Sequence, residues 1–99
     1  MPKYDVYPAP GGTGYLLDVQ SDLLDGLNTR VVIPLLPETG APQPARHLNP
    51  LIAIDDVRHV MATQFLSAVP ATLLSAPVGN LAGRAGDITH ALDMVFQGV

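Results

Sequence analysis

Three histidines, His47, His59 and His90, are the first residues to test for chemistry. Imidazole is the side chain that exchanges protons or binds metals near neutral pH. None of the three sits at the His-x-x-x-His spacing that puts two ligands on one helix face. They read as surface histidines, and no metal centre is expected. Asp18, Asp22 and Asp25 form an acidic cluster. A calcium loop needs denser oxygen ligands and a closing glutamate, so turn and cap duties are expected of them. Ser21, Ser67 and Ser75 lack the Gly-x-Ser-x-Gly elbow of a serine nucleophile. Gly11-Gly12-Thr13-Gly14 lacks the lysine and the following helix of a phosphate loop, and reads as a hairpin loop. No catalytic residue and no cofactor site follow from these patterns.

What remains is adhesive. Leu23 and Leu24 are adjacent leucines inside a polar stretch, so they must dock on the core or face a partner. The segment Asp93-Met94-Val95-Phe96-Gln97-Gly98-Val99 carries an aromatic residue where a helix should end. Phe96 is either a core residue, as helical aromatics usually are, or part of an exposed tip for a partner to receive.

Composition points the same way. Apolar residues make up 47% of the chain and charged residues 14%, which argues against disorder. So few charges leave apolar surface uncovered, a mark of protein interfaces. The net charge is −4, and the five basic residues, Lys3, Arg30, Arg46, Arg58 and Arg84, are scattered. That is a poor footprint for nucleic acid, whose affinity comes chiefly from Lys and Arg on phosphates. Cysteine is absent, which excludes disulfides and thiolate metal sites and fits a reducing compartment. The opening Met1-Pro2-Lys3-Tyr4-Asp5 begins no signal-length apolar run, and no stretch approaches a membrane span of about 20 apolar residues. One soluble cytoplasmic domain over residues 1–99 is expected.

The elements that must position these residues are mostly short strands. Tyr4 to Tyr7 and Tyr15 to Gln20 read as a hairpin across Pro8-Ala9-Pro10-Gly11-Gly12. Arg30 to Leu36 is a continuous apolar run that suits a buried strand, with Pro34 implying an edge, a bulge or a strand end. Residues 37–50 carry Pro37, Pro42, Pro44 and Pro50, and read as a loop with polyproline character. Leu51 to Ile54 and Val57 to Thr63 read as strands joined by a tight Asp55-Asp56 turn. Phe65 to Val69 and Ala71 to Ser75 continue the β pattern across Pro70. Residues 77–86 read as a Gly-containing connection. A helix then follows, with Asp87 near its start, an apolar stripe at Ile88, Ala91, Leu92 and Val95, and Gly98 as a left-handed terminator. The expected fold is mostly β with one C-terminal helix, a small barrel or open sheet with the helix packed on it.

Three segments in this order resemble the CcdB family of toxins. They are Asp18-Val19-Gln20-Ser21-Asp22-Leu23-Leu24 with Arg30-Val31-Val32-Ile33-Pro34-Leu35, then Met61-Ala62-Thr63 through Ser67-Ala68-Val69-Pro70, then Asp87-Ile88 to Phe96-Gln97-Gly98-Val99. Together they cover nearly the whole chain.

The resemblance implies an SH3-like β-barrel, of the CcdB and MazF kind, in a homodimer. It implies a non-enzymatic toxin that binds the DNA gyrase A subunit and traps the enzyme on cleaved DNA. A CcdA-like antitoxin would neutralise it through a disordered segment that folds on binding. DNA would be reached only indirectly, through that antitoxin, in repression of the pair's own operon. Carried over by position, the gyrase contacts are Leu23, Leu24, Asp93, Phe96, Gln97, Gly98 and Val99.

Two departures stand in the tail: Gln97 where the family has tryptophan, and Asp93 where it has a neutral polar residue. The Pro-rich stretch 37–50 also differs. Gln97 fits a second reading, a homologue that keeps the dimer and the antitoxin but is non-toxic or retargeted. A third reading is a MazF-like endoribonuclease using Arg30, Arg58 and His59. Scarce basic residues and the lack of a matching motif speak against it.

Overall fold

The computed structural model describes residues 1–98, and Val99 lies outside the described residues. Seven strands form one antiparallel sheet: β1 (Asp5–Pro8), β2 (Tyr15–Asp18), β3 (Thr29–Pro37), β4 (Leu51–Ile54), β5 (Val57–Met61), β6 (Ser67–Pro70) and β7 (Gly79–Asn80). The order is β4-β5-β3-β2-β1-β7, with β6 also paired to β3. The helix α1 (Ala85–Gln97) follows. This is the mostly β, barrel-like fold with a C-terminal helix that the sequence predicts.

Strand β3 is the organising element, and its run of apolar residues has a physical reason. Successive side chains of a strand point to opposite faces. Ile33 and Leu35 enter the main core with Val6, Leu17, Ile52 and Met61, while Val32 joins a second cluster with Tyr7 and Leu74. From Val31 to Leu36 both faces of β3 are covered, and every residue there is apolar. Pro34 sits where β3 changes partner. Residues 29–32 pair with β6 and residues 35–37 pair with β5. The missing Pro34 N–H falls at that switch, and its carbonyl accepts from Ala62 N at 2.9 Å.

The Asp55-Asp56 turn forms as expected, with φ of 51° and 63° at its two residues. Those positive angles match the tight hairpin turn that Asp tolerates. Gly14 has φ +83°, and a Cβ there would collide with the Leu35 carbonyl oxygen. Glycine is required at that point by backbone angle and by space.

Helix α1 closes the main core with Ile88 and Ala91, and Leu92 packs partly against it. Asp87 lies in the first turn rather than at the cap, which is Arg84. Gly98 ends the helix in the left-handed conformation, φ 74°, and its N–H donates to the Met94 carbonyl at 3.2 Å.

Several expectations need correction. Ala71–Leu73 is a 3-10 turn, not strand, because β6 ends at Pro70, which leads into that turn as its cap. Residues 63–65 likewise form a 3-10 turn after β5. The connection 77–86 holds the short strand β7, which pairs with β1. His59 is buried rather than on the surface, with its Nδ1–H donating to the Val57 carbonyl at 2.8 Å and its ring edge-on to Tyr15.

The Pro-rich stretch has no strand after Pro37, yet it is tied down. Thr63 Oγ1 donates to the Leu48 carbonyl at 2.6 Å, and Asn49 Nδ2 donates to the Met61 carbonyl at 2.9 Å. His47 stacks on His90 of α1, with ring centroids 4.8 Å apart.

Asp18 has a larger role than turn duty. It is fully buried and takes two hydrogen bonds from the fully buried Arg30, at 2.8 and 2.9 Å. The Asp18 hydrogen bond raises the Arg30 guanidinium above its ordinary value, against the opposing effect of burial.

Candidate functional site

The stretch after β2 is built to present leucines outward. Asp22–Leu24 forms one 3-10 turn, and the Ser21 hydroxyl accepts from the Leu23 N–H at 3.2 Å. Gln20 is buried and clamps the turn from beneath: its side-chain amide donates to the Leu24 carbonyl at 2.9 Å and accepts from the Val31 N–H at 3.0 Å. Asp22 accepts from the Lys3 N–H at 2.9 Å. Asp25 accepts from Arg30 at 3.1 Å and pairs with the N-terminal ammonium at 3.3 Å. The acidic residues thus anchor the loop. Leu23 nevertheless stands 94% exposed and Leu24 49% exposed. Two adjacent exposed leucines on an anchored turn form a patch rather than scattered single residues.

The end of α1 supplies the second half. Ile88 and Ala91 are buried, but Val95 and Phe96 are exposed, Phe96 by 69%. A residue seven positions along a helix lies about 10 Å further down its axis, and by that point the core no longer covers the stripe. Phe96 is therefore part of an exposed tip and not of the core.

The two halves meet. An apolar groove of about 350 Å³ is lined by Leu24, Leu27, Val31, Leu66, Leu92 and Phe96, among others. Leu24 and Phe96, both named from the sequence, share this groove although 72 positions separate them (96 less 24). Leu23 stands next to Leu24 on the same turn and does not line the groove. Asp93, Gln97 and Gly98 lie exposed at the C-terminal end of α1. Val99 is outside the described residues. Sequence reasoning missed Leu27, half-exposed in the same polar loop, and Leu66 and Leu92, which reach the groove from other elements. Leu27 carries the same signal as Leu23 and Leu24: a leucine among Asp, Gly and Asn.

What the groove can do is bind. Among the described residues no group of three or more His, Cys, Asp or Glu is placed to hold a metal ion. The groove's lining is apolar apart from Gln20, Ser21 and Thr29. Such a lining resembles the apolar centre of protein–protein interfaces.

The three residues of the nuclease reading are not assembled. Arg30 is wholly buried, with its guanidinium spent on Asp18, Asp25 and the Met1 carbonyl. Arg58 is exposed and paired with Glu38 at 2.9 Å. His59, its neighbour on β5, is buried against Tyr15. Among the described residues, no helix is long and apolar enough to cross a membrane.

Comparison with known proteins adds two findings. A family model described as CcdB protein matches residues 3–98. The fold is shared with two solved structures. A Mycobacterium tuberculosis toxin, MazF-mt6, superposes with a TM-score of 0.75 at 13% identity, over 93% of this chain and 95% of that one. An endoribonuclease in complex with its cognate antitoxin, from a mycobacterial species, gives 0.76 at 16% identity, over 97% and 95%.

Proposed function

The chain belongs to the CcdB family, and on that premise we propose that it is the toxin of a toxin–antitoxin pair, that it binds the A subunit of DNA gyrase, and that it traps gyrase on cleaved DNA. The observation that carries this reading is the groove between Leu24 and Phe96. Two segments that the family resemblance marks as gyrase contacts, distant in sequence, lie together on one exposed apolar surface.

The toxin works as a homodimer. Its terminal helix and a neighbouring sheet face meet across a two-fold axis, so a dimer offers two copies of Phe96-Gln97-Gly98 to a two-fold target. Binding, rather than chemistry, is the mechanism. Apolar side chains on a pre-formed surface lose little freedom on association, and a few buried anchors carry most of the affinity. Leu24→Asp and Phe96→Asp each put a charge into the groove. Each is expected to weaken binding to the isolated gyrase A fragment by about 2 kcal/mol or more, the scale of a hot-spot residue. Because both residues are exposed, their thermal midpoints should stay close to the parent's. Titration calorimetry on the three proteins decides it. Equal affinity in all of them would remove the groove from the interface.

The antitoxin is the second partner. A disordered segment that folds on the dimer neutralises it, and the antitoxin supplies the DNA contacts. The net charge of −4 suits that division of labour. A ligand that binds only the folded state adds about 2.7 kcal/mol at one hundred times its dissociation constant. Saturating cognate peptide should raise the thermal midpoint, and light scattering at micromolar concentration should return a dimer with or without it. A monomer, or a midpoint that does not move, would count against these partners.

The reading of a non-toxic or retargeted homologue rests on Gln97 and Asp93, both exposed at the tip. The nuclease reading has the fold alone behind it, at 13% and 16% identity, and Arg30 is committed to its buried ion pair.

A further inference from the structure

The sheet does not close on itself. Strands β4, β6 and β7 each have an unpaired edge, and residues of β4 and β7 line one groove. Ala53 and Ile54 come from the β4 side, and Gly79 and Asn80 from the β7 side. This groove, of about 220 Å³, shares Ile54, Asp55 and Val78 with a wider mouth of about 370 Å³. The mouth lies between the β4–β5 turn and the loop joining β1 to β2. The two volumes adjoin along those three residues, and they share no lining residue with the groove that holds Leu24 and Phe96.

The mouth carries polar groups, among them a carboxylate acceptor. Asp55 supplies a carboxylate and is exposed. His59 lines the mouth as well. Its Nδ1–H is donated to the Val57 carbonyl at 2.8 Å, which leaves Nε2 as the ring's other polar atom. Tyr15 adds a phenol, with its ring edge-on to His59 at 5.2 Å. Among the described residues that line either volume there is no lysine and no arginine. Nothing there neutralises a phosphate, which makes the cleft a poor place for RNA or DNA. A carboxylate beside apolar walls instead suits the long stem and cationic head of a lysine or arginine side chain.

The two features fit one occupant. Free sheet edges offer unpaired backbone groups to an extended chain. Such a chain adds as a strand, with main-chain hydrogen bonds giving affinity and pockets for alternate side chains giving specificity. We infer that the cleft between β4 and β7 receives an extended, basic segment of a partner protein, with a lysine or arginine entering the mouth beside Asp55 and apolar side chains resting on Ile54 and Val78. The gyrase reading does not depend on it, since the two surfaces share no residue.

The test uses the full chain and synthetic pentapeptides. One alternates valine and arginine, and its counterparts carry alanine or glutamate in place of arginine. Amide chemical-shift mapping locates each peptide, and fluorescence polarisation gives its affinity. The arginine peptide should shift the amides of Ala53 to Asp55 and Val78 to Leu81, and should bind more tightly than either counterpart. Asp55→Asn keeps a residue that tolerates the positive φ of that turn. It should weaken the arginine peptide by about three- to fivefold, the range of a partly exposed charge pair, and leave the alanine peptide unchanged. Val78 is 57% exposed, so Val78→Lys is compatible with folding and should weaken the arginine peptide as well. Shifts confined to Leu24, Leu27 and Phe96 would overturn the inference. So would equal affinity for the glutamate peptide, tighter binding of a single-stranded RNA oligonucleotide at the same amides, or two folded variants that bind like the parent.

Discussion

Asp18→Asn is expected to lower the free energy of unfolding by about 3–5 kcal/mol, the usual consequence of leaving one member of a buried ion pair alone. Both side chains have zero exposure. The Arg30 guanidinium meets the carboxylate through two hydrogen bonds at 2.8 and 2.9 Å. Asparagine keeps the shape but not the charge, so a buried cation remains with weaker acceptors. The Asp25 contact at 3.1 Å and the Met1 carbonyl at 2.9 Å survive, which places the loss toward the lower end of that range.

Domains of this size are stable by only about 5–15 kcal/mol, so the variant sits near the edge of folding. With a slope of about 1–3 kcal/mol per molar urea, its midpoint should fall by roughly 1–3 M. The contrast is Arg58→Gln, which breaks a pair exposed by 63% and 38% and should cost less than about 1 kcal/mol. Equal midpoints for the two variants would contradict the role given to Asp18. Replacing both Asp18 and Arg30 with apolar residues should restore part of the loss, because no lone charge is then buried. Arg30 also holds Asp25 of the leucine-bearing loop, so Asp18→Asn should loosen the presentation of Leu23 and Leu24 as well.

Gln97→Trp is expected to strengthen gyrase binding by roughly 30- to 1,000-fold. The resemblance to the CcdB family implies that tryptophan at this position stacks on an arginine of gyrase. Glutamine cannot stack in that way. A desolvated cation–π contact is worth about 1–2 kcal/mol, and the proposed dimer would present two of them. The total of about 2–4 kcal/mol corresponds to that range in affinity. Gln97 is exposed at the last helical position, next to Phe96 and before the left-handed Gly98. A larger ring there displaces no core residue, and the thermal midpoint should not move. Calorimetric titration of both proteins against the gyrase A fragment, with cell killing scored in parallel, checks the prediction. If the variant binds no better than the parent, the contact does not carry over to this chain.

Local patterns made much of this molecule legible. The apolar run from Arg30 to Leu36 marked a strand covered on both faces. The stripe Ile88, Ala91 and Leu92, closed by Gly98, marked a helix with one buried face. The Asp55-Asp56 turn needed only that Asp tolerates positive φ.

What stayed hidden depends on pairings across the chain. Asp18 and Arg30 are 12 residues apart, and nothing local distinguishes that aspartate from its neighbours Asp22 and Asp25. The strand β7 is two residues, Gly79 and Asn80, neither of which favours strands. It is held by register with β1 and by Asn80 Nδ2 donating to Asp5 at 2.8 Å. His59 looked like a surface residue because its burial depends on Tyr15, which approaches from another strand.

The site divided in the same way. Leu23, Leu24 and Phe96 stood out by residue type. That Leu24 and Phe96 would line one groove, completed by Leu66 and Leu92, required the fold.

The most direct measurement is gyrase-dependent DNA cleavage by the purified protein. Gyrase, supercoiled plasmid and ATP are incubated with increasing toxin, then quenched with detergent and protease, and linear DNA is quantified. Linear DNA should accumulate with toxin dose, at higher dose than for Gln97→Trp, and should disappear when the cognate antitoxin is added. Plasmid processed without linear product at saturating protein, for the parent and for Gln97→Trp alike, would contradict gyrase as the target.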